Sequence, residues 1–188
     1  MVRLVLFLLF AVWPLALPAQ SLEDLAGRYR IDDRASRIVF SVAQVGGRPI
    51  EGRFRRFSGE FVLAGRDASR SSVTFTLAPE SVEAGDPRVE AFLKSEAVFD
   101  VARHPAVTFR SASVQLTGPR SAVVTGRLTA KGITRTARFD IRFAGSEGRQ
   151  LTFHVTGRLS RAMFGMDVGT PVYSNIVVLD MQLAGRRS

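Results

Sequence analysis

Apolar and polar residues alternate over most of the chain. Ile38, Phe40 and Val42 recur at every second position, as do Val73, Phe75 and Leu77, then Val107 and Phe109. The pattern returns at Ala137, Phe139, Ile141 and Phe143 and again at Leu151, Phe153 and Val155. Period two sets each group on one face of a strand. Turn-forming residues separate the groups at Gly46-Gly47, Gly65-Arg66-Asp67, Gly118-Pro119, Lys131-Gly132, positions 145–148 and Gly169-Thr170-Pro171. The reading predicts strands over 27–33, 36–45, 53–64, 71–78, 106–117, 121–130, 134–144, 150–160 and 174–184. One segment departs from it. Val89, Phe92 and Leu93 are spaced by three to four behind Asp86 and Pro87, an N-cap and a first-turn proline, which predicts a short helix near 87–95 that lids one end of the sheet.

Eight or nine long strands in one small domain must hide their edges, by closing into a barrel or by packing as a sandwich. Strand length favours an all-β antiparallel barrel of about eight strands. Such a barrel is just wide enough to be filled by side chains or to hold one small ligand. The predicted inward set is Phe40, Val42, Phe75, Leu77, Phe109, Phe139, Ile141, Phe153 and Val155. It could line an apolar pore for an alkyl or isoprenoid chain, or interdigitate as an ordinary core, and periodicity does not separate the two. A membrane-spanning barrel needs aromatic girdles at both interfaces. Beyond residue 19 the chain has no tryptophan and only Tyr29 and Tyr173 as tyrosines.

The first residues form a separate unit. Arg3 precedes an unbroken apolar run from Leu4 to Val12, followed by Pro14 and small residues to Ala19. The run is shorter than the roughly 20 residues that span a bilayer, so it reads as a secretory signal peptide cleaved near Ala19. Residues 20–188 are then one domain acting outside the cytoplasm, with the periplasm as the expected compartment. With 188 residues, 46% of them hydrophobic, the chain can bury a core unaided. The absence of cysteine excludes disulfides, thiolate nucleophiles and cysteine-held metals, and two separated histidines argue against a histidine metal centre. No metal and no cofactor is expected.

A net charge of +9 suggests anionic partners. Its distribution tempers this, because the longest basic runs are the pairs Arg55-Arg56 and Arg186-Arg187 and most arginines stand singly among apolar residues. No nucleic acid is expected as a partner. Transient contact with a membrane stays open, as does the oligomeric state, a homodimer included. No G-x-S-x-G elbow and no phosphate-cradling glycine loop occurs, so no catalytic residue is named.

Several stretches carry a family pattern: Tyr29-Arg30-Ile31-Asp32 with Ser36-Arg37-Ile38-Val39-Phe40-Ser41-Val42; Gly52-Arg53-Phe54-Arg55-Arg56-Phe57-Ser58-Gly59; and, most specifically, Leu93-Lys94-Ser95 through Phe99-Asp100-Val101-Ala102-Arg103-His104-Pro105 to Thr108-Phe109-Arg110-Ser111. Gly126-Arg127-Leu128-Thr129, Lys131-Gly132-Ile133-Thr134-Arg135 and Arg161 with Phe164-Gly165-Met166 complete it. The sequence resembles the YceI-like (polyisoprenoid-binding) family over essentially all of residues 20–188. The resemblance implies a lipocalin-like barrel with a hydrophobic pore for a polyprenyl chain, quinone or related long-chain lipid, in a periplasmic binding or carrier protein that is not an enzyme. Histidines that the family often shows are here Ala35, Gln44 and Lys131, and an acidic residue before its Phe-Gly pair is Met163. For a lipid head group the cationic candidates are Lys131, Arg135 and Arg161, since guanidinium and ammonium groups suit phosphate oxygens. His104 reads as structural, and His154, alternating with Phe153 and Val155, points outward. Two other classes of function stand beside the carrier: a basic adaptor docking on an acidic envelope surface or membrane enzyme, and a lipid-modifying enzyme.

Overall fold

The computed structural model describes residues 25–188, so the predicted signal segment lies outside the described residues. The strands are β1 (Gly27–Ile31), β2 (Arg37–Gln44), β3 (Ile50–Phe54), β4 (Phe57–Leu63), β5 (Ser72–Leu77), β6 (Val82–Glu83), β7 (Val107–Gly118), β8 (Ser121–Ala130), β9 (Ile133–Glu147), β10 (Gln150–Ser160) and β11 (Tyr173–Arg187), with one helix, α1 (Pro87–Lys94), between β6 and β7. All strand pairs are antiparallel. The eleven segments make eight staves. β1 and β2 both lie along β11, with Ile31 opposite Gly185 and Ile38 opposite Met181, so they are one strand interrupted at 32–36. β3 and β4 mirror them across a break at Arg55-Arg56. The ring runs β1-β4-β5-β7-β8-β9-β10-β11 and closes where Tyr29 meets Arg187. Closure pairs both sides of the ring strands, while β6, paired with β3 alone, ends the sheet at the β3 side.

The interruption in the first stave is held by side chains. Asp32 Oδ1 accepts from the Arg34 amide at 3.1 Å, and Ser36 Oγ accepts from the Ala184 amide at 2.8 Å. These are two of the residues that carry the family pattern. The signature stretch after α1 has an equally local job. Asp100 is buried and left-handed, with φ 49°, its carbonyl accepts from the amides of Arg103 and His104, and its Oδ2 pairs with Arg103 Nε at 2.7 Å. This knot turns the chain from the helix into β7.

The strand pattern differs from the sequence reading in several places, the first being that the single strand expected over 53–64 is broken at Arg55-Arg56 into β3 and β4. β3 begins at Ile50, three residues before the expected strand, because Pro49 and Gly52 conceal it. β6, only two residues long, has no counterpart in the alternation. β9 runs on through positions 145–147, read as a turn, because Ser146 pairs with Leu151 and the reversal needs only Gly148-Arg149. At the β8–β9 hairpin both turn residues have positive φ, 49° for Lys131 and 73° for Gly132, the two-residue geometry that matches strand twist.

Candidate functional site

Four connections gather at one end of the barrel: the β2–β3 turn, the α1 segment, the β8–β9 turn and the β10–β11 connection. Inside this end lies a cavity of about 430 Å³, within the range of small-molecule sites. Its lining is apolar apart from Arg88, Thr108, Arg161 and Tyr173. A smaller cavity of about 130 Å³ extends toward the opposite end, beneath the β4–β5 connection. The two share Val73, Val124, Ile141, Val155 and Leu183 as walls, so these side chains stand between two apolar cavities stacked along the barrel.

Phe40, Val42, Phe75, Leu77, Phe109, Phe139, Ile141 and Val155 line the larger cavity. Phe153 instead lines the smaller one, as Val155 also does. Register contributes to accommodating so many phenylalanines around the larger space. Phe40 is opposite Gly52 and Phe139 is opposite Gly157. A Cβ on Gly52 would sit 2.5 Å from the Phe40 ring, and one on Gly157 would sit 2.6 Å from the Phe139 ring. Each ring therefore occupies the space over the opposing strand that a side chain at the glycine would take. At the far end the rings do fill the barrel: Tyr29 stacks on Phe61 at 5.0 Å, and Phe153 meets Phe61 at 5.3 Å and Phe143 at 5.6 Å.

Two of the three head-group candidates lie elsewhere than expected. Lys131 occupies the β8–β9 turn, and its Nζ donates to the Gly165 carbonyl at 2.8 Å. Arg135 shares the inward register of Leu128 but sits so near the strand end that its side chain is exposed and folds back on the Thr134 carbonyl at 3.0 Å. Neither lines a cavity. Arg161 does, yet all five of its N–H groups are taken. They go to the carbonyls of Ser174 at 2.8 Å, Val168 at 2.8 Å, Tyr173 at 3.1 Å and Met166, and to Thr170 Oγ1 at 3.2 Å. Burial pushes its pKa down, with Asp167 acting the other way. Arg161 is a clamp that shapes the β10–β11 connection around the mouth, with no donor left for a ligand.

Periodicity missed the lid side of the wall. Val89, Phe92 and Leu93 of α1, Val98 and Phe99 after it, and Phe164 and Met166 line the cavity. The helical spacing signalled the first three; the others have no repeating pattern. Arg88, on the first turn of α1, is a lining cation that, like Arg161, makes no ion pair among the described residues, but unlike that of Arg161 its guanidinium donates no hydrogen bond there. His154 is on the outer face with Nε2 3.1 Å from Asp180 Oδ2. His104 packs against Gly132, 3.9 Å from Asp100 Oδ2.

The sequence model of the YceI-like domain matches residues 29–184. A UPF0312 protein of Vibrio parahaemolyticus is 29% identical, covering 93% of this chain and 94% of that protein, and one of Ectopseudomonas mendocina is 30% identical over 68% of this chain and 67% of its own. Among solved structures, Burkholderia cenocepacia BcnA is similar with a TM-score of 0.76 at 25% identity, over 82% of this chain and 98% of that one. A polyisoprenoid binding domain from Saccharophagus degradans has the same fold, with a TM-score of 0.67 at 16% identity, over 85% of this chain and 98% of that domain.

Proposed function

Because this chain belongs to the YceI-like family, we propose that it is a periplasmic carrier that holds the tail of a long-chain isoprenoid, quinone or related amphiphile in the barrel lumen. The observation that carries the reading is the apolar cavity of about 430 Å³, whose Phe40 and Phe139 rings are seated over strand glycines. Burial of a methylene is worth about 0.8 kcal/mol, so about ten carbons of tail supply on the order of 8 kcal/mol before the costs of immobilisation. That is enough for reversible binding without any bond making. The mouth of the cavity suits the polar head, and Arg88, on the lining with an unpaired guanidinium, replaces the earlier cationic candidates as its contact. The apolar run before Ala19, read as an export signal, supports the compartment.

Titration with an uncharged fluorescent long-chain probe tests the reading. The protein should take the probe up, and uptake should hardly change with salt, since tail burial is not screened. Phe109→Glu sets a carboxylate against the lumen and should abolish uptake in a folded protein. Uptake that survives this change, or that collapses with ionic strength in the unaltered protein, would refute the reading and favour surface docking.

A further inference from the structure

We propose that the mouth end of the barrel docks on an anionic lipid bilayer. The described residues expose seven large hydrophobic side chains, and five of them, Val45, Phe92, Met163, Val168 and Val172, lie on the connections around the mouth. The two exceptions, Leu116 and Val178, are on strands. The connections at the opposite end carry Arg66, Arg70, Arg120 and Arg149 and none of the seven. The apolar rim is built, since the Val45 amide donates to the Val172 carbonyl at 2.9 Å and so ties the β2–β3 turn to the β10–β11 connection. Val45 and Val172 are nevertheless 75% and 49% exposed. Phe92 and Val168 are at once rim and cavity wall, so the apolar surface runs from outside to inside without a polar break.

Charge selects the occupant. Arg48, Arg88, Lys94 and Lys131 stand at this end without an ion pair among the described residues. Most acids of the same connections are engaged internally. Asp86 and Glu90 accept backbone amides and Asp100 and Glu96 pair with Arg103, while the exposed Asp167 side chain makes no such contact among the described residues. Apolar side chains ringed by cations that make no ion pair, Lys131 among them though its Nζ also donates to the Gly165 carbonyl, fit an interface with an apolar interior and anionic head groups. The inference leans on the carrier reading only for its purpose, which is to let a water-insoluble tail pass between bilayer and barrel.

Vesicle flotation tests docking without cargo. The protein should float with phosphatidylcholine vesicles that contain phosphatidylglycerol and less with phosphatidylcholine alone. Val45→Glu, Met163→Glu and Val172→Glu together, none on the cavity wall, should lower partitioning at least about tenfold, and the milder pair Val45→Ser and Val172→Ser should lower it less. Arg48→Glu with Lys131→Glu should reduce binding to the phosphatidylcholine level, whereas Leu116→Glu should change nothing. Equal flotation of the triple variant, or no flotation of the unaltered protein, would overturn the proposal. So would a dimer that the triple variant dissolves without any vesicle binding, which would make the rim a self-association surface. Probe uptake from solution should be unchanged in the triple variant, so a protein that floats but takes up no probe refutes the carrier reading and leaves docking standing.

Discussion

Gly157→Ala is a small change that tests why the barrel is hollow. The added methyl would lie 2.6 and 2.7 Å from two atoms of the Phe139 ring, whereas carbon contacts are optimal at about 3.5–4.0 Å. The ring, packed edge-on to Phe109 at 5.1 Å, must move by about an ångström, and the free direction is the lumen. Overpacking of this kind costs about 1–3 kcal/mol, offset by about 0.5–1 kcal/mol from replacing a strand glycine with alanine. A net loss of about 1 kcal/mol lowers the melting temperature by about 2–4 °C in a domain of this size. A similar loss in lumen space weakens probe affinity about fivefold. Circular dichroism melts and probe titration read the two effects. Gly145→Ala is the control: its Cβ meets nothing within 4 Å, so it should be neutral or stabilising. Combining Gly157→Ala with Phe139→Leu should recover much of the loss, because the two sites are coupled by contact. If Gly157→Ala melts no lower than the parent and binds the probe equally well, the glycine does not hold the ring aside and the explanation of the open lumen is wrong.

Other outcomes follow from the same geometry. Arg161→Met leaves buried carbonyls without donors, and at about 1–3 kcal/mol for an unsatisfied buried group it should destabilise the protein clearly; hydrogen exchange should quicken at 166–174 and stay unchanged in β7 and β8. Arg88→Gln should weaken binding of a polyprenyl phosphate more than of the uncharged polyprenol, measured by competition with the probe; equal weakening would remove Arg88 from head-group recognition. Asp67 has its pKa lowered, chiefly by the hydrogen bond from the Ser69 hydroxyl at 2.5 Å. A carboxyl depressed by folding contributes stability above its unfolded pKa and loses it as pH falls through the folded one. In Ser69→Ala the Asp67 titration, followed by NMR, should therefore move up toward the ordinary carboxylate range, and an unchanged midpoint would contradict that cause.

The parts of this fold that repeat were legible in the sequence. Phe40 and Val42, Phe75 and Leu77, and Phe139 and Ile141 declare their faces by alternation, and Asp86-Pro87 with Val89, Phe92 and Leu93 declares the helix. What alternation cannot carry is a partner across the sheet. Gly52 reads locally as a break, yet it is a strand residue that accommodates the Phe40 ring. Arg161 reads as a free cation because its acceptors are backbone carbonyls 5 to 13 positions away. Lys131 and Arg135 stand in a motif that marks a hairpin, and their charges fall outside the cavity for that reason. Whether the interior was packed or open depended on three-dimensional register.

The central claim is that the lumen carries a lipid tail, and native mass spectrometry of protein purified from its own cells, followed by organic extraction, tests it most directly. The account predicts a long-chain amphiphile bound one to a barrel and released by organic solvent. A barrel that stays empty even when offered quinones and polyprenyl phosphates would contradict it.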